Sequence, residues 1–273
     1  RDVAKVDDKN IFQKMRIYNR NPIAFHKYDM MISSSKYVRK IFLSAFNVKN
    51  NNVVITGYPR NDVLLGAEYT NYYLNQEEEY HKIKKLKEDS RNKLVIYLPT
   101  FRDSNLEKNK NVIKDFLEYQ DILDKNGIIL LIKPHELERI SITIKDKKNI
   151  WIIDPRSDIY PLLRISDVLI TDYSSVFFDY LLLNKPIVFF PYDLDEYKRS
   201  DRELYSDYYQ EITGPAETNL DNLIKTIVRL VNDDVFEKEI LDKKYIEIKT
   251  KYNILTKNSY SENVYHCIKN IFL

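Results

Sequence analysis

Five short stretches with continuously apolar interiors recur along the middle of the chain: Lys93 to Leu98, Ile128 to Lys133, Ile150 to Ile153, Val168 to Thr171 and Ile187 to Phe190. Runs that are apolar at every position, rather than at every second one, belong to strands buried on both faces. Helical patterns separate them, best marked at Val112 to Leu123, Ile159 to Ile165 and Ser175 to Leu183, with a later one at Leu220 to Val231. Alternating strands and helices of this kind predict a parallel sheet with helices on each side, a doubly wound α/β domain.

Upstream, a strand over Asp29 to Ile32, a helix opened by Ser33-Ser34-Ser35 and a second strand over Val53 to Thr56 make one βαβ unit. A turn at Gly57-Tyr58-Pro59 follows. Glu68 to Arg91, rich in Tyr, Glu and Lys, is helical in pattern but lacks a strong core face, and is read as the connection between two domains. Tyr260 to Leu273 reads as an amphipathic helix that must dock on the rest.

Composition narrows the chemistry. The 273 residues include four glycines, Gly57, Gly66, Gly127 and Gly214, none spaced to build a G-x-G-x-x-G turn or a P-loop. A phosphate ligand would have to be held by other means. With 43 Lys and Arg against 41 Asp and Glu, the chain has no footprint for nucleic acid. The local basic stretch Lys82, Lys84, Lys85, Lys87 and Arg91 reads as a solvated helix face. Cys267 stands alone, which suits a reducing cytoplasm and a role in helix packing. No apolar run approaches the ~20 residues of a membrane helix. The sequence opens at Arg1 with no signal-peptide pattern, and a fragment of something longer is the expectation.

In an open α/β sheet, ligands bind beyond the carboxyl ends of the strands. Here those ends are polar: Pro99-Thr100-Phe101-Arg102-Asp103, Lys133-Pro134-His135-Glu136 and Thr171-Asp172-Tyr173-Ser174-Ser175. A strand order of 3-2-1-4-5 would bring Thr100 and Arg102 close to Thr171, Ser174 and Ser175. The last run opens a helix, whose free N–H groups and partial positive charge, with serine hydroxyls added, can bind phosphate without a glycine loop. The serines can equally be plain helix caps. Asp179, on the same helix, can meet a ligand hydroxyl or solvent.

His135, at a strand's carboxyl end, can donate to a phosphate oxygen or exchange a proton. His26, His81 and His266 are read as structural or surface residues. Arg102 and Arg60 carry forks suited to phosphate, or else pair with Asp103 and Asp62. No metal-ligating pattern is present; Asp193-x-Asp195 reads as an ordinary acidic loop.

Four stretches together resemble one family: Thr56-Gly57-Tyr58-Pro59-Arg60-Asn61-Asp62, Tyr97-Leu98-Pro99-Thr100-Phe101-Arg102-Asp103, Lys133-Pro134-His135-Glu136 and the run from Ser166 through Thr171-Asp172-Tyr173-Ser174-Ser175 to Asp179-Tyr180. They are similar to the ordered motifs of the CDP-glycerol glycerophosphotransferases, the teichoic acid and capsule polymerases and primases. The resemblance runs from about Tyr28 to Tyr197, and its last motif is the most specific.

It implies a GT-B fold, two Rossmann-like domains, working at the cytoplasmic face of the membrane on a lipid-linked acceptor. It also implies attack of an acceptor hydroxyl on the β-phosphorus of CDP-glycerol or a related CDP-polyol, with CMP leaving. Ser174, Ser175 and the helix start would hold the pyrophosphate. His135 would contact it or assist proton transfer, and Asp179 would bind glycerol hydroxyls. Thr100, Arg102, Thr171, Asp172 and Arg60 complete the expected substrate-binding set. No cofactor need be invoked, and Mg²⁺ travelling with the nucleotide stays open.

One motif departs from the family. A second histidine, in a His-Gly-Thr-Pro motif of the first domain, is absent, and Arg1 to Lys27 would be the stretch just downstream of it. The expectation is a C-terminal portion of a longer polypeptide that binds donor but turns over poorly alone. On this reading residues 1–66 are the incomplete tail of the first, acceptor-side Rossmann-like domain and 67–91 a linker helix. Residues 92–250 form the donor-binding domain, and 251–273 a docking C-terminal helix. Two alternatives stand beside it: a GT-B glycosyltransferase using a nucleotide sugar, and a non-catalytic nucleotide-binding module.

Overall fold

The computed structural model describes residues 10, 28–46, 48–66, 77–89, 91–102, 106–135, 149–201, 204–256 and 259–272. His26, Asp103, Glu136 and the first part of the Glu68 to Arg91 segment lie outside them. The chain divides into two units, one of Arg1–Asp62, Arg202–Glu211 and Glu247–Leu273, the other of Val63–Asp201 and Ile212–Ile246.

In the first unit, strands β1 (Met31–Ser33) and β2 (Val53–Ile55) pair in parallel, Met31 opposite Val53. The helix Lys36–Ala45 joins them, so the βαβ reading corresponds to these elements. The three serines divide their work. Ser33 ends β1 and its hydroxyl donates to the Val54 carbonyl, Ser34 donates to the Tyr252 carbonyl, and Ser35 caps the helix by accepting from Val38 N–H at 3.1 Å.

The C-terminal helix Tyr260–Phe272 starts on Asp62, whose carboxylate accepts from the backbone N–H groups of Tyr260 and Ser261 and from the Ser261 hydroxyl. A carboxylate at a helix N-terminus satisfies otherwise free donors and meets the positive end of the dipole. Gly57, at φ +75°, lies under the Tyr260 ring, and a Cβ there would sit 2.1 Å from it.

The second unit holds a five-stranded parallel sheet: β3 (Lys93–Leu98), β4 (Ile128–Ile132), β5 (Ile150–Ile152), β6 (Val168–Thr171) and β7 (Ile187–Phe189), in the spatial order β5-β4-β3-β6-β7. Counted within the unit this is the 3-2-1-4-5 order of a doubly wound fold. Nearly every residue of β3, β4, β6 and β7 is buried, on both faces. On one face Phe116 packs on Tyr97 at 5.2 Å between ring centroids; on the other Phe177 meets Phe189 at 5.2 Å. Burial of each such side chain stabilises the fold by about 1.5–3 kcal/mol, which is why uninterrupted apolar runs were selected over alternating ones.

The helix Glu77–Glu88 belongs to this second unit. Its Ile83 is fully buried, and Lys87 Nζ bonds Asp167, whose carboxylate also accepts from Leu94 N–H at the start of β3. The basic face remains solvated in part, with Lys82 pairing Glu78 one turn away. Among the described residues no helix is long and apolar enough to cross a membrane.

The glycine at 214 serves the sheet. Residues 215–217 bond β7 through Phe189 N–H to Pro215 O and Glu217 N–H to Phe189 O, and a Cβ on Gly214 would lie 2.0 Å from the Ile187 carbonyl oxygen. Backbone cannot yield as a flexible side chain can, so Gly214→Ala destabilises by about 1–3 kcal/mol. Urea denaturation measures it; a cost near zero would show that this segment is not closely packed on β7.

Candidate functional site

The switch point of the sheet lies between β3 and β6, where Leu98 stands opposite Thr171. Beyond it the segments that follow β3, β4, β6 and β7 are tied together. Thr171 is fully buried and its hydroxyl donates to Leu98 O at 2.8 Å; Lys133 N–H donates to Tyr97 O at 3.1 Å; Phe190 N–H donates to Thr171 O at 2.8 Å.

At the centre is a buried ion cluster. Asp172 accepts from Thr100 N–H at 2.9 Å, from the Thr100 hydroxyl at 2.5 Å and from its neighbour Tyr173 N–H at 2.6 Å. Arg102 donates Nη2 to Asp172 at 2.8 Å and grips Asp193 with Nε and Nη2, each at 2.9 Å. The Arg102 side chain is 1% exposed and that of Asp172 0%. Arg102 Nη1 donates to Thr100 O at 2.6 Å, which Asn109 Nδ2 also reaches at 2.9 Å.

The tyrosine rings of 173, 192 and 197 surround the guanidinium, which lies 4.8–5.4 Å from their centroids. Burial by itself would lower the Arg102 pKa, but the charge of Asp172 and the bonds to Asp193 outweigh it and drive the pKa upward. Burial likewise pushes Asp193 upward, and the bond and charge of Arg102 reverse this, leaving its carboxyl below the ordinary value. Lys108, 3.4 Å from Asp193, offsets the second negative charge.

Thr100, Arg102, Thr171 and Asp172 are therefore neighbours, as expected from the strand ends. Their side chains are engaged with one another and with the backbone, and Arg102 takes Asp172 and Asp193 as its partners. Asp193 corrects the reading of an ordinary acidic loop. It lies beyond the carboxyl end of β7, and that strand-end position is the sequence signal for it.

His135 follows β4, half-buried, with its ring 5.2 Å from that of Phe101 on the segment after β3. Ser174 and Ser175 come directly after Asp172-Tyr173. Ser175 is exposed and makes no side-chain capping bond to the helix Val176–Tyr180, while Ser174 accepts from Val176 N–H at 3.4 Å. Asp179 is buried on that short helix and accepts from the Tyr160 hydroxyl at 2.7 Å, a partner the sequence did not suggest. Arg60 belongs to the first unit, exposed, with its guanidinium 4.2 Å above the Tyr58 ring. Asp62 is committed there to the C-terminal helix.

Fold and strand ends define an α/β protein with Rossmann-like topology, of the GT-B type, whose polar residues gather at the switch point of a parallel sheet. The chain belongs to the CDP-glycerol:poly(glycerophosphate) glycerophosphotransferase family, whose model matches residues 6–270. A teichoic acid poly(glycerol phosphate) polymerase of Staphylococcus epidermidis is 32% identical over 208 residues, covering 75% of this chain and 28% of that protein. A teichoic acid glycerol-phosphate transferase of Staphylococcus aureus is 32% identical over 231 residues, covering 81% and 57%. The solved wall teichoic acid polymerase TagF superposes with a TM-score of 0.68 at 28% identity over 96% of this chain and 62% of its own. A variant of it soaked with CDPG gives 0.67 at 29%, with the same coverage. The chain thus spans between about a quarter and three-fifths of the length of these relatives.

Proposed function

We propose that this chain carries the donor site of a transferase that moves glycerol phosphate, or a similar polyol phosphate, from CDP-glycerol to an acceptor hydroxyl of a teichoic-acid or capsule-type polymer. Family membership supports the reaction class. The observation that supports the site is the meeting of the β3, β4 and β6 ends, where His135 follows β4 and Ser174-Ser175 follow the buried Asp172.

In this reaction the acceptor oxygen forms a bond to the β-phosphorus, the bond from that phosphorus to the bridging oxygen breaks, and CMP departs with the electron pair. The acceptor proton must also leave. Charge grows on the pyrophosphate oxygens, so fixed donors there lower the barrier most. Ser174, Ser175 and the N–H groups opening the following helix supply such donors. His135 contacts the diphosphate or carries the proton, and Asp179, steadied by Tyr160, meets the polyol hydroxyls. Thr100, Thr171, Asp172 and Arg102 build the wall behind them. Arg60, in the first unit, carries a guanidinium suited to a phosphate group. The acceptor is a lipid-linked polyol phosphate or glycan, reached at the inner face of the cell membrane.

The test is nucleotide release by the natural polypeptide given a polyol-phosphate acceptor. CMP is expected from CDP-glycerol, with no UDP or GDP from nucleotide sugars; the reverse pattern would establish a glycosyltransferase, and binding of CDP-glycerol without release a non-catalytic module.

A further inference from the structure

We infer that Asp193 is a positioning residue of the donor site: acting through Arg102, Asp172 and Tyr173 from the segment after β7, it sets the turn that presents Ser174 and Ser175. The inference rests on the donor-site reading above. That turn has little of its own to hold it. The helix it opens is five residues long, Ser175 makes no capping bond, and the Ser174 bond is long at 3.4 Å. A turn feeding so short a helix takes its geometry from its surroundings, since one helical turn costs more in backbone order than its hydrogen bonds return.

The surroundings supply two anchors, both on Tyr173, the residue immediately before Ser174. Its backbone N–H is bound by Asp172 at 2.6 Å, and its hydroxyl donates to Asp193 Oδ1 at 2.9 Å. Its ring also stacks on Tyr197 at 4.1 Å, on the helix Leu194–Ser200 that Asp193 precedes. Arg102 locks the two carboxylates into one body by bonding both. Asp193 is thus the point through which the β7 segment grips the turn after β6. A site held this way is pre-formed before the donor arrives, and the serines need not be ordered at the expense of binding energy.

The experiment measures CDP-glycerol affinity by calorimetry for the wild type, Asp193→Asn, Ser174→Ala and the double variant, each at a temperature where circular dichroism shows it folded. Loss of one charged bond to the clamp should weaken the donor about tenfold in Asp193→Asn. The double variant should fall short of the product of the single effects by at least about threefold, because both act on one turn. A merely structural Asp193 lowers the melting temperature and leaves affinity in the folded protein unchanged, which overturns the inference. Ser174→Ala without effect overturns the donor-site reading itself, so the two failures are distinguishable. If Asp193→Asn does not fold, Tyr173→Phe removes only the hydroxyl bond to Asp193. It is expected to weaken the donor in the same direction, and full affinity there overturns the inference.

Discussion

On the donor-site reading proposed above, replacing His135 with alanine in the natural polypeptide lowers the rate of polyol-phosphate transfer by about 10²–10⁴, the range that a positioned proton-transfer group contributes. The side chain follows β4 and lies half-buried beside Phe101, 5.2 Å between ring centroids, so it is oriented by the neighbouring strand end. Imidazole is the side chain whose ordinary pKa lies nearest neutrality, and it can take the acceptor proton or donate to a diphosphate oxygen. Donor affinity separates the roles. A His135→Ala protein that binds CDP-glycerol normally but transfers slowly has lost a proton carrier, whereas one with weakened binding has lost a phosphate contact. Undiminished transfer removes His135 from the site.

Replacing Arg102 with methionine destabilises the fold by about 3–5 kcal/mol, because it leaves buried carboxylates without their cation. The pH dependence gives this prediction a sign. In the wild type the folded-state pKa of Asp193 lies below its ordinary value. Its contribution is therefore fully present above the unfolded pKa near 4 and is lost as pH falls through the depressed folded value.

In Arg102→Met the bond and charge that lower the Asp193 carboxyl are gone, and burial, the largest influence on it, pushes its pKa up. The sign reverses: the variant regains stability as pH falls through that raised value. Urea denaturation at pH 8 and at pH 5 measures it, with the deficit larger at pH 8. A deficit that is equal, or larger at pH 5, would mean that the two carboxylates reach water or another cation once Arg102 is gone.

The sheet was legible because its signal is local. Each of β3, β4, β6 and β7 is a continuous apolar run; right-handed crossovers restrict the strand order, and the structure selects 3-2-1-4-5 among those they allow. Short helices such as Leu194–Ser200 and Lys243–Tyr252 escaped notice, because few of their residues are apolar and those few meet partners elsewhere in the chain. The helix Glu77–Glu88 showed no strong core face, yet Ile83 and Lys87 suffice to fasten it to the second unit. Of the candidate site, the strand-end residues were found by their position. Their partnerships were not: the sequence offers Arg102 its neighbour Asp103, whereas it bonds Asp172 and Asp193, 70 and 91 positions away.

The sequence by itself determined a doubly wound α/β domain, the strand ends at which chemistry gathers, and the family, because apolar periodicity and short motifs are written in adjacent residues. The absence of glycine loops already required that any phosphate be held by other means. Only the tertiary structure decided which of these polar residues bond one another. Thr100, Arg102, Asp172 and Asp193 all carry groups that suit a phosphate or a polyol, but a charge taken out of water must meet an opposite charge or pay the full cost of desolvation. Folding brings those four within hydrogen-bond distance, so they satisfy one another and, through Tyr173, hold the turn that leads into Ser174 and Ser175.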